Sequence, residues 1–161
     1  MATVDDCDAI AAMEHEHDGV EPADSLDRCL RHVADPEVCL LVATVGDDVV
    51  GYGRAARFEP PADAGPDAAP AGWYLFGVIV RDAWRRRGIA SQLTDARLDW
   101  IAERATEAWY FTNAANQASI DLHACLGFVE VSRTFAFPNA SFEGATGVLC
   151  RVTLPRDETL G

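Results

Sequence analysis

The chain has 161 residues, and its 26 acidic residues outnumber 13 basic ones to give a formal net charge of −13. This acidity excludes a non-specific nucleic-acid binder, whose affinity comes from neutralised phosphates, and it disfavours docking on an anionic membrane. Every basic residue is an arginine, so Schiff-base chemistry and a P-loop lysine are excluded as well.

Hydrophobic periodicity predicts helices alternating with strands. In chain order the pattern predicts helices at 5–17 and 25–34, strands at 38–45, 49–58 and 73–80, a helix at 89–105, a strand at 108–113, a helix at 116–126, and strands at 128–137 and 146–154. Ser25 is the predicted cap of the second helix, and the Pro-, Ala- and Gly-rich segment 59–72 is a predicted surface loop. The alternation indicates one central sheet with at least one parallel pair, covered by helices, and a single domain over residues 1–161.

The sequence has no feature of a membrane or secreted protein. No apolar run approaches the roughly 18 residues that a membrane span needs, and the first six residues include two acids and no basic residue, unlike a secretory signal. Five cysteines without a C-x-x-C pair favour free, mostly buried thiols over a metal or redox role. We therefore expect a cytoplasmic protein.

The acidic and histidine-rich run Glu14–Asp18 looks at first like a set of metal ligands. Consecutive helical residues point in different directions, however, and the run lacks an H-x-x-x-H spacing. A solvated helix face without a metal is the favoured interpretation.

The junction after the strand at 73–80 carries the strongest sign of a ligand. Arg85, Gly88 and Ala90 lie between a strand end and a helix start, where small residues let a ligand approach the backbone. The free N–H groups of a helix's first turn favour a phosphate or pyrophosphate, and four arginines fall within residues 81–87. Small residues at such a corner also serve tight packing, so this segment alone leaves both interpretations open.

A second segment, from Asn116 to Phe128, follows the next strand. Asn116 can cap the helix, Gly127 can end it in a left-handed conformation, and Phe128 can open a core strand.

Together the two segments closely resemble the GCN5-related N-acetyltransferase (GNAT) superfamily. Residues 80–90 are similar to the family's motif A, V-x-P-x-x-R-x-x-G-x-G/A, and residues 116–128 to its motif B, N-x-x-A-x-x-L-Y-x-x-x-G-F, in the family's order. The resemblance implies an α/β fold: a mixed, mostly antiparallel central sheet of six to seven strands, flanked by about four helices. Its central parallel strands splay apart to admit acetyl-coenzyme A (acetyl-CoA).

The resemblance also implies roles for particular residues. The backbone of Val78, Ile79 and Val80 would pair with the pantetheine arm, which Asn116 would also hydrogen-bond. The pyrophosphate would be held at the corner, by the backbone or side chains of Arg85, Arg86, Arg87, Gly88, Ile89, Ala90 and Ser91. No metal is implied.

Two departures from the family pattern limit what is implied about mechanism. His123 stands where motif B has a tyrosine that commonly acts as general acid for the thiolate, so His123 is either the acid or a packing residue. The strand at 73–80 holds no carboxylate to act as general base, and Glu14, Glu16 and Glu59 are unranked candidates. Asp82 also replaces the family's proline, and no full strand fits before the first helix.

The implied activity is acetyl-CoA-dependent acetylation of a small-molecule amine. The family lines its acceptor site with segments that here are residues 5–34 and 59–72, whose acidity suits a cationic amine, although general acidity explains the same charges. Aromatic residues on the strands at 73–80 and 108–113 are mostly core, with some able to contact an apolar acceptor. Acetylation of a protein or peptide amine and a non-catalytic acyl-CoA sensor remain alternatives, and a homodimer is one oligomeric state found among relatives.

The acids are spread along the whole chain and do not form a tail. Such a composition resembles that of salt-in halophile cytosolic proteins, so we expect it to reflect the solvent. The arginines at 81–87 form the one dense basic segment.

Overall fold

The structure is a computed structural model that describes residues 1–142 and 146–156. Over these residues the chain forms four α-helices: α1 (Cys7–Asp18), α2 (Pro22–Ala34), α3 (Ile89–Ala102) and α4 (Gln117–Cys125). The six strands are β1 (Val38–Val45), β2 (Asp48–Phe58), β3 (Gly72–Val80), β4 (Glu107–Asn113), β5 (Val129–Ser132) and β6 (Gly147–Thr153). The predicted order of elements is confirmed.

The six strands form one sheet in the order β1-β2-β3-β4-β6-β5. Strands β3 and β4 are parallel and pair at Tyr74–Trp109 and Leu75–Tyr110, and β3 runs on to Val80. The pairs β1–β2, β4–β6 and β5–β6 are antiparallel. The predicted fold class, a mixed and mostly antiparallel sheet with four helices, is therefore confirmed.

The chain divides into two compact units. The first comprises Met1–Ala56 and Phe76–Trp100, and its core joins α1, α2, β1 and β2 through Cys7, Ile10 and Met13. The second comprises Arg57–Leu75 and the chain from Ile101 onward, and its core is aromatic. Its buried Tyr74 stacks on Trp109 with ring centroids 6.3 Å apart.

Helix α2 begins three residues before the predicted start. Pro22 occupies the first turn, where its missing N–H costs no hydrogen bond and its fixed φ suits the helix. Ser25 is consequently inside the helix and buried, and its hydroxyl donates to Glu14 of α1. Ser25 joins two helices and does not cap one.

Strand β5 ends at Ser132, five residues before the predicted end. A local turn stops it, because the Ser132 hydroxyl bonds the Thr134 backbone on both its N–H and its carbonyl side. Ala136 then forms a parallel bridge with Ala68.

The N-terminal segment agrees with the expectation that no full strand fits there. Val4–Asp6 is a 3₁₀ helix, and the Ala2 N–H donates to the Leu40 carbonyl at 2.8 Å. Among the described residues no strand precedes α1.

Candidate functional site

The corner between β3 and α3 has an unusual backbone. Arg86 and Gly88 both have left-handed φ angles, of 62° and 79°, and α3 begins at Ile89. Residues in such conformations turn successive N–H groups toward a shared concavity, and the N–H groups of the first helical turn have no partner within the helix. Residues 85–88 are exposed, so the corner presents backbone donors to solvent.

Two arginines of the 81–87 segment stabilise the corner itself. The Arg81 Nε donates to the Val49 carbonyl at 3.0 Å, and its Nη1 lies 3.1 Å from a carboxylate oxygen of Glu16. The Arg85 Nε donates to the Val80 carbonyl at 3.1 Å, and its Nη2 pairs with Asp82 at 3.0 Å. Arg81 and Arg85 therefore hold the strand end in place.

The other two arginines are directed differently. The Arg87 guanidinium lies over the Trp84 ring at 4.7 Å from its centroid. Arg86 is exposed and makes no ion pair with any described residue. Arg86 is therefore the arginine of this segment that is best placed to form an ion pair with an anion bound at the corner.

The last residues of β3, which lead into this corner, are partly or fully buried in the first unit. Val78 and Ile79 are half-buried and Val80 is buried. A side chain at Gly51 of β2 would lie 3.2 Å from both the Ile79 carbonyl oxygen and the Ile89 side chain. Glycine at 51 thus lets β2 approach β3 and α3 closely.

The predicted features of the Asn116–Phe128 segment are present in the second unit. The Asn116 side-chain oxygen accepts the Ser119 N–H at 3.2 Å and so caps α4. Gly127 has a φ of 88°, which ends the helix in the left-handed conformation. Phe128 is buried, as predicted for a residue that enters the core.

His123 is only 4% exposed, and it packs against aromatic rings. Its ring stacks on Tyr110 with centroids 3.6 Å apart and an interplanar angle of 3°, and Phe128 lies edge-on to it at 5.2 Å. The His123 Nδ1 lies 2.8 Å from the Ser119 carbonyl, so it carries the proton that this bond requires. Burial raises the pKa of the neighbouring Tyr110 to about 12.

A cavity of about 190 Å³ lies within the first unit, lined by residues of α1, α2, β1, β2 and β3. Glu14 of α1 accepts three hydrogen bonds in this cavity. Its carboxylate accepts from the hydroxyls of Ser25 and Tyr52 and from the Arg28 guanidinium. The Tyr52 hydroxyl bond is 2.9 Å long, and burial raises the pKa of Tyr52 well above its ordinary value. Asp18 also lines the cavity.

The opposite charge in the cavity comes from Arg54 of β2. Its guanidinium lies 4.5 Å from the centroid of the Phe76 ring, and its Nη1 donates to the His32 Nε2 at 2.9 Å. Burial and the neighbouring arginines lower the pKa of His32 to about 4, so His32 is neutral at pH 7 and can accept that bond.

A further arginine, Arg97, bonds the backbone of residues that line the cavity. Arg97 of α3 is 1% exposed, and its Nη1 donates to the carbonyls of Arg54 and Phe76, at 2.9 Å each. The next residue of β3, Gly77, has a φ of 28° and lines the cavity. Arg97 thus bonds the backbone where β3 departs from regular geometry.

The three candidate bases are now distinguishable by position. Glu14 lines the cavity, and its side chain is 15% exposed. Glu16 is 60% exposed and pairs with Arg81, whereas Glu59 is 68% exposed and pairs with Arg57 at 3.6 Å. The sequence offered no means of ranking them.

Sequence reasoning identified the corner and the Asn116–Phe128 segment but missed Tyr52, Arg54 and Arg97. The signal for Arg54 was a charge in the apolar strand at 49–58, where buried charges are rare. The signal for Arg97 was its spacing, because it lies four residues from both Leu93 and Ile101 and therefore shares their buried face.

Among the described residues, no group of three or more His, Cys, Asp or Glu side chains is arranged to hold a metal ion. Within residues 1–142 and 146–156, every helix is too short or too polar to cross a membrane.

Comparison with known proteins relates this geometry to a family. The model of the acetyltransferase (GNAT) family matches residues 6–128, whereas no curated protein matches the chain significantly. A ribosomal-protein-alanine N-acetyltransferase from Brucella melitensis is similar in structure, with a TM-score of 0.73 and 22% identity over 95% of this chain and 97% of that one.

Other solved structures are similar at comparable levels. An aminoglycoside 6'-N-acetyltransferase from Acinetobacter haemolyticus has a TM-score of 0.69 and 20% identity over 87% of this chain and 96% of that one. AAC(6')-Iy, solved in complex with the bisubstrate analogue CoA-S-monomethyl-acetylneamine, has a TM-score of 0.69 and 19% identity over 85% and 93% of the two chains. The family model spans more than half of the chain, so this protein belongs to the acetyltransferase (GNAT) family and is an N-acetyltransferase.

Proposed function

We propose that this enzyme transfers the acetyl group of acetyl-CoA to the amine of a small molecule. The observation that carries the proposal is the cavity of about 190 Å³ that Glu14, Asp18 and Tyr52 help to line. Sites for drug-sized ligands typically measure about 300–1,000 Å³, so this cavity suits a smaller molecule. Two arginines balance the charge of the two carboxylates, so the preference for a cationic amine rests on the remaining acceptor capacity of Glu14.

The corner between β3 and α3 is the proposed site of the CoA pyrophosphate. The left-handed φ angles of Arg86 and Gly88 and the start of α3 supply backbone donors, and Arg86 supplies a charge without an ion-pair partner among the described residues. The backbone of Val78–Val80 is the proposed partner of the pantetheine arm, and Asn116 is proposed to contact the same arm. The complex of AAC(6')-Iy with a CoA-derived bisubstrate analogue supports acetyl-CoA as the cosubstrate.

Glu14 is the proposed partner of the acceptor amine. It is the least exposed of the three candidate carboxylates, and its hydrogen bonds to Ser25, Arg28 and Tyr52 fix its orientation. A carboxylate offers about four acceptor sites, so the three bonds leave capacity for an ammonium group. Glu14 would then bind the ammonium and accept the proton that the amine must lose before it attacks.

The proposed reaction is direct transfer. The neutral amine attacks the thioester carbonyl carbon, a new C–N bond forms, the C–S bond breaks, and the CoA thiolate leaves and takes up a proton. Much of the acceleration can come from holding the two substrates together. His123 remains the proposed donor of that last proton, with a purely packing role as the alternative.

The test is the release of free CoA thiol with a panel of amines that includes simple small amines, free amino acids, aminoglycosides and a peptide with an N-terminal alanine. We expect turnover with small amines, and a loss of at least 10-fold in kcat/KM for Glu14→Gln. The matched control is Glu103→Gln, which removes one charge from a side chain that is 73% exposed. Tight acetyl-CoA binding without turnover of any amine would support the sensor alternative, and turnover of the peptide alone would support protein acetylation.

We also propose that the enzyme works in a cytosol of high salt content. The net charge of −13, the absence of lysine and the presence of all five cysteines as thiols outside any disulfide support this setting. Folding and activity should be best in molar KCl. Higher stability and activity in dilute buffer would refute the proposal.

A further inference from the structure

The cavity contains a cation that has no direct ion-pair partner among the described residues. Arg54 lines the cavity, its guanidinium donates a hydrogen bond to His32, which is neutral at pH 7, and the Glu14 carboxylate acts on it only through space. Burial is the main cause of a lowered pKa for Arg54, Arg28 adds to it, and Glu14 opposes it only in part, since the net direction stays downward. The charge of an anion bound in the cavity would offset this unfavourable balance.

The other arginine that lines the cavity, Arg28, does have an ion-pair partner in the protein. Arg28 donates to the Glu14 carboxylate, so its charge is compensated within the protein. The cavity therefore holds one direct ion pair, Glu14 with Arg28, and a guanidinium without a direct ion pair, Arg54. Among the acids that line it, Asp18 is bound to the neighbouring His17 at 2.7 Å and is 53% exposed.

The Arg54 guanidinium is also held in a fixed plane. Phe76 lies against one face at 4.5 Å from the ring centroid, and the His32 Nε2 fixes one of the five N–H donors. Arg97 bonds the Arg54 carbonyl and so fixes the backbone from which the side chain extends. A planar, oriented fork of N–H donors matches a carboxylate, which it binds through two parallel hydrogen bonds.

We propose that Arg54 binds a carboxylate of the acceptor, and that the acceptor is a small molecule of the amino-acid class, with its amine toward Glu14. This inference rests on the proposed function and narrows it. It excludes amino sugars and amines without an acid group, and it excludes a peptide N-terminus, whose neighbouring carboxyl is an amide.

The test compares each of the twenty standard amino acids with its own α-carboxamide by calorimetric binding to the protein without acetyl-CoA. At least one amino acid should bind about 10- to 100-fold more tightly than its amide, as expected for a hydrogen bond to a charged group. Arg54→Gln should abolish this preference, and Arg54→Lys should retain only part of it, because an ammonium group cannot form the paired bonds. The matched control, Arg57→Gln, removes the same charge from the same strand at a side chain that is 55% exposed, and it should leave the preference unchanged.

Each other outcome overturns the inference. These outcomes are equal binding of acid and amide, a preference that survives in Arg54→Gln, a preference lost equally in Arg57→Gln, and the absence of binding by all twenty amino acids. Circular dichroism of each variant establishes that it is folded, and the Lys variant keeps the charge if the Gln variant does not fold.

Thiol release separates this inference from the proposed function. Turnover of amides or simple amines as fast as amino acids would refute the carboxylate contact and leave the transferase proposal intact. Arg54-dependent binding of amino acids without any turnover would support the carboxylate contact and refute the transferase proposal.

Discussion

Gly53 of β2 is the position at which one methyl group should reveal how the cavity is built. A Cβ added there would lie 2.9 Å from the Arg97 Cζ and 3.0 Å from its Nε, closer than atoms in contact tolerate. An arginine tip on the surface would simply move away. Arg97, however, is buried and is held by the carbonyls of Arg54, Phe76 and Leu93 and by the Thr94 hydroxyl.

The cost of Gly53→Ala follows from these contacts. Overpacking costs about 1–3 kcal/mol, and losing one hydrogen bond of the buried guanidinium costs about 1.5–3 kcal/mol more. Restricting the unfolded chain returns about 0.4–1 kcal/mol, so we expect a net loss of about 1.5–5.5 kcal/mol. For a chain of this size that loss corresponds to a Tm lower by roughly 3–22 °C.

The assay is urea unfolding followed by circular dichroism, on a double-mutant cycle with Arg97→Met. If the clash is with the guanidinium, Gly53→Ala should destabilise the wild type but have almost no effect in the Arg97→Met background. Gly65→Ala is the control, because nothing lies within 4 Å of its added Cβ. A Gly53→Ala variant as stable as the wild type, or a cost that persists without Arg97, would refute the reasoning.

Three further outcomes are expected. Gly88→Val should weaken acetyl-CoA binding by about 10-fold or more in calorimetry, because a β-branched residue cannot keep the φ of 79°. Gly19→Val is the control for backbone strain, since Gly19 has a φ of 69° but lies away from the corner. Equal weakening in both variants would contradict the assignment of the corner to acetyl-CoA. His123→Phe should remove a limb of the pH–rate profile if His123 protonates the thiolate, whereas an unchanged profile assigns it to packing. Burial lowers the pKa of His32 in the folded state from 6.5 to about 4, so the free energy of unfolding falls as the pH drops through that window. We expect urea unfolding to show a loss of about 1–2 kcal/mol, a figure that already allows for the partial exposure of His32. The variant His32→Gln should lack this part of the acid destabilisation.

The sequence was sufficient for the parts of the fold that local chemistry determines. The continuous apolar run at 73–80, the cap at Asn116 and the left-handed Gly127 are each encoded within a few residues, and all three are found in the structure. The same holds for the corner at 85–88, because its glycine and its arginines lie side by side in the chain.

The cavity proposed for the acceptor is different, because its groups come from distant parts of the chain. Glu14, Arg28 and Tyr52 meet only when α1, α2 and β2 pack together, and no spacing in the sequence indicates that contact. Ser25 shows the same limit. By residue type it is a good helix cap, and only the neighbouring helix explains why its hydroxyl turns to Glu14 instead.

The acidic composition finally makes a prediction about salt and ligand binding. Both proposed anionic ligand groups, the pyrophosphate and the acceptor carboxylate, approach a protein whose net charge of −13 repels them. Salt screens this repulsion, since the Debye length falls from about 10 Å at 0.1 M to about 3 Å at 1 M, whereas contacts within hydrogen-bond distance at the corner and at Arg54 are screened much less. We therefore expect the Kd of acetyl-CoA, measured calorimetrically on folded protein, to stay constant or fall as KCl is raised over this range. A Kd that rises about 10-fold would mean that the exposed arginines attract the cofactor through space, and the backbone donors of the corner would not be the main source of affinity.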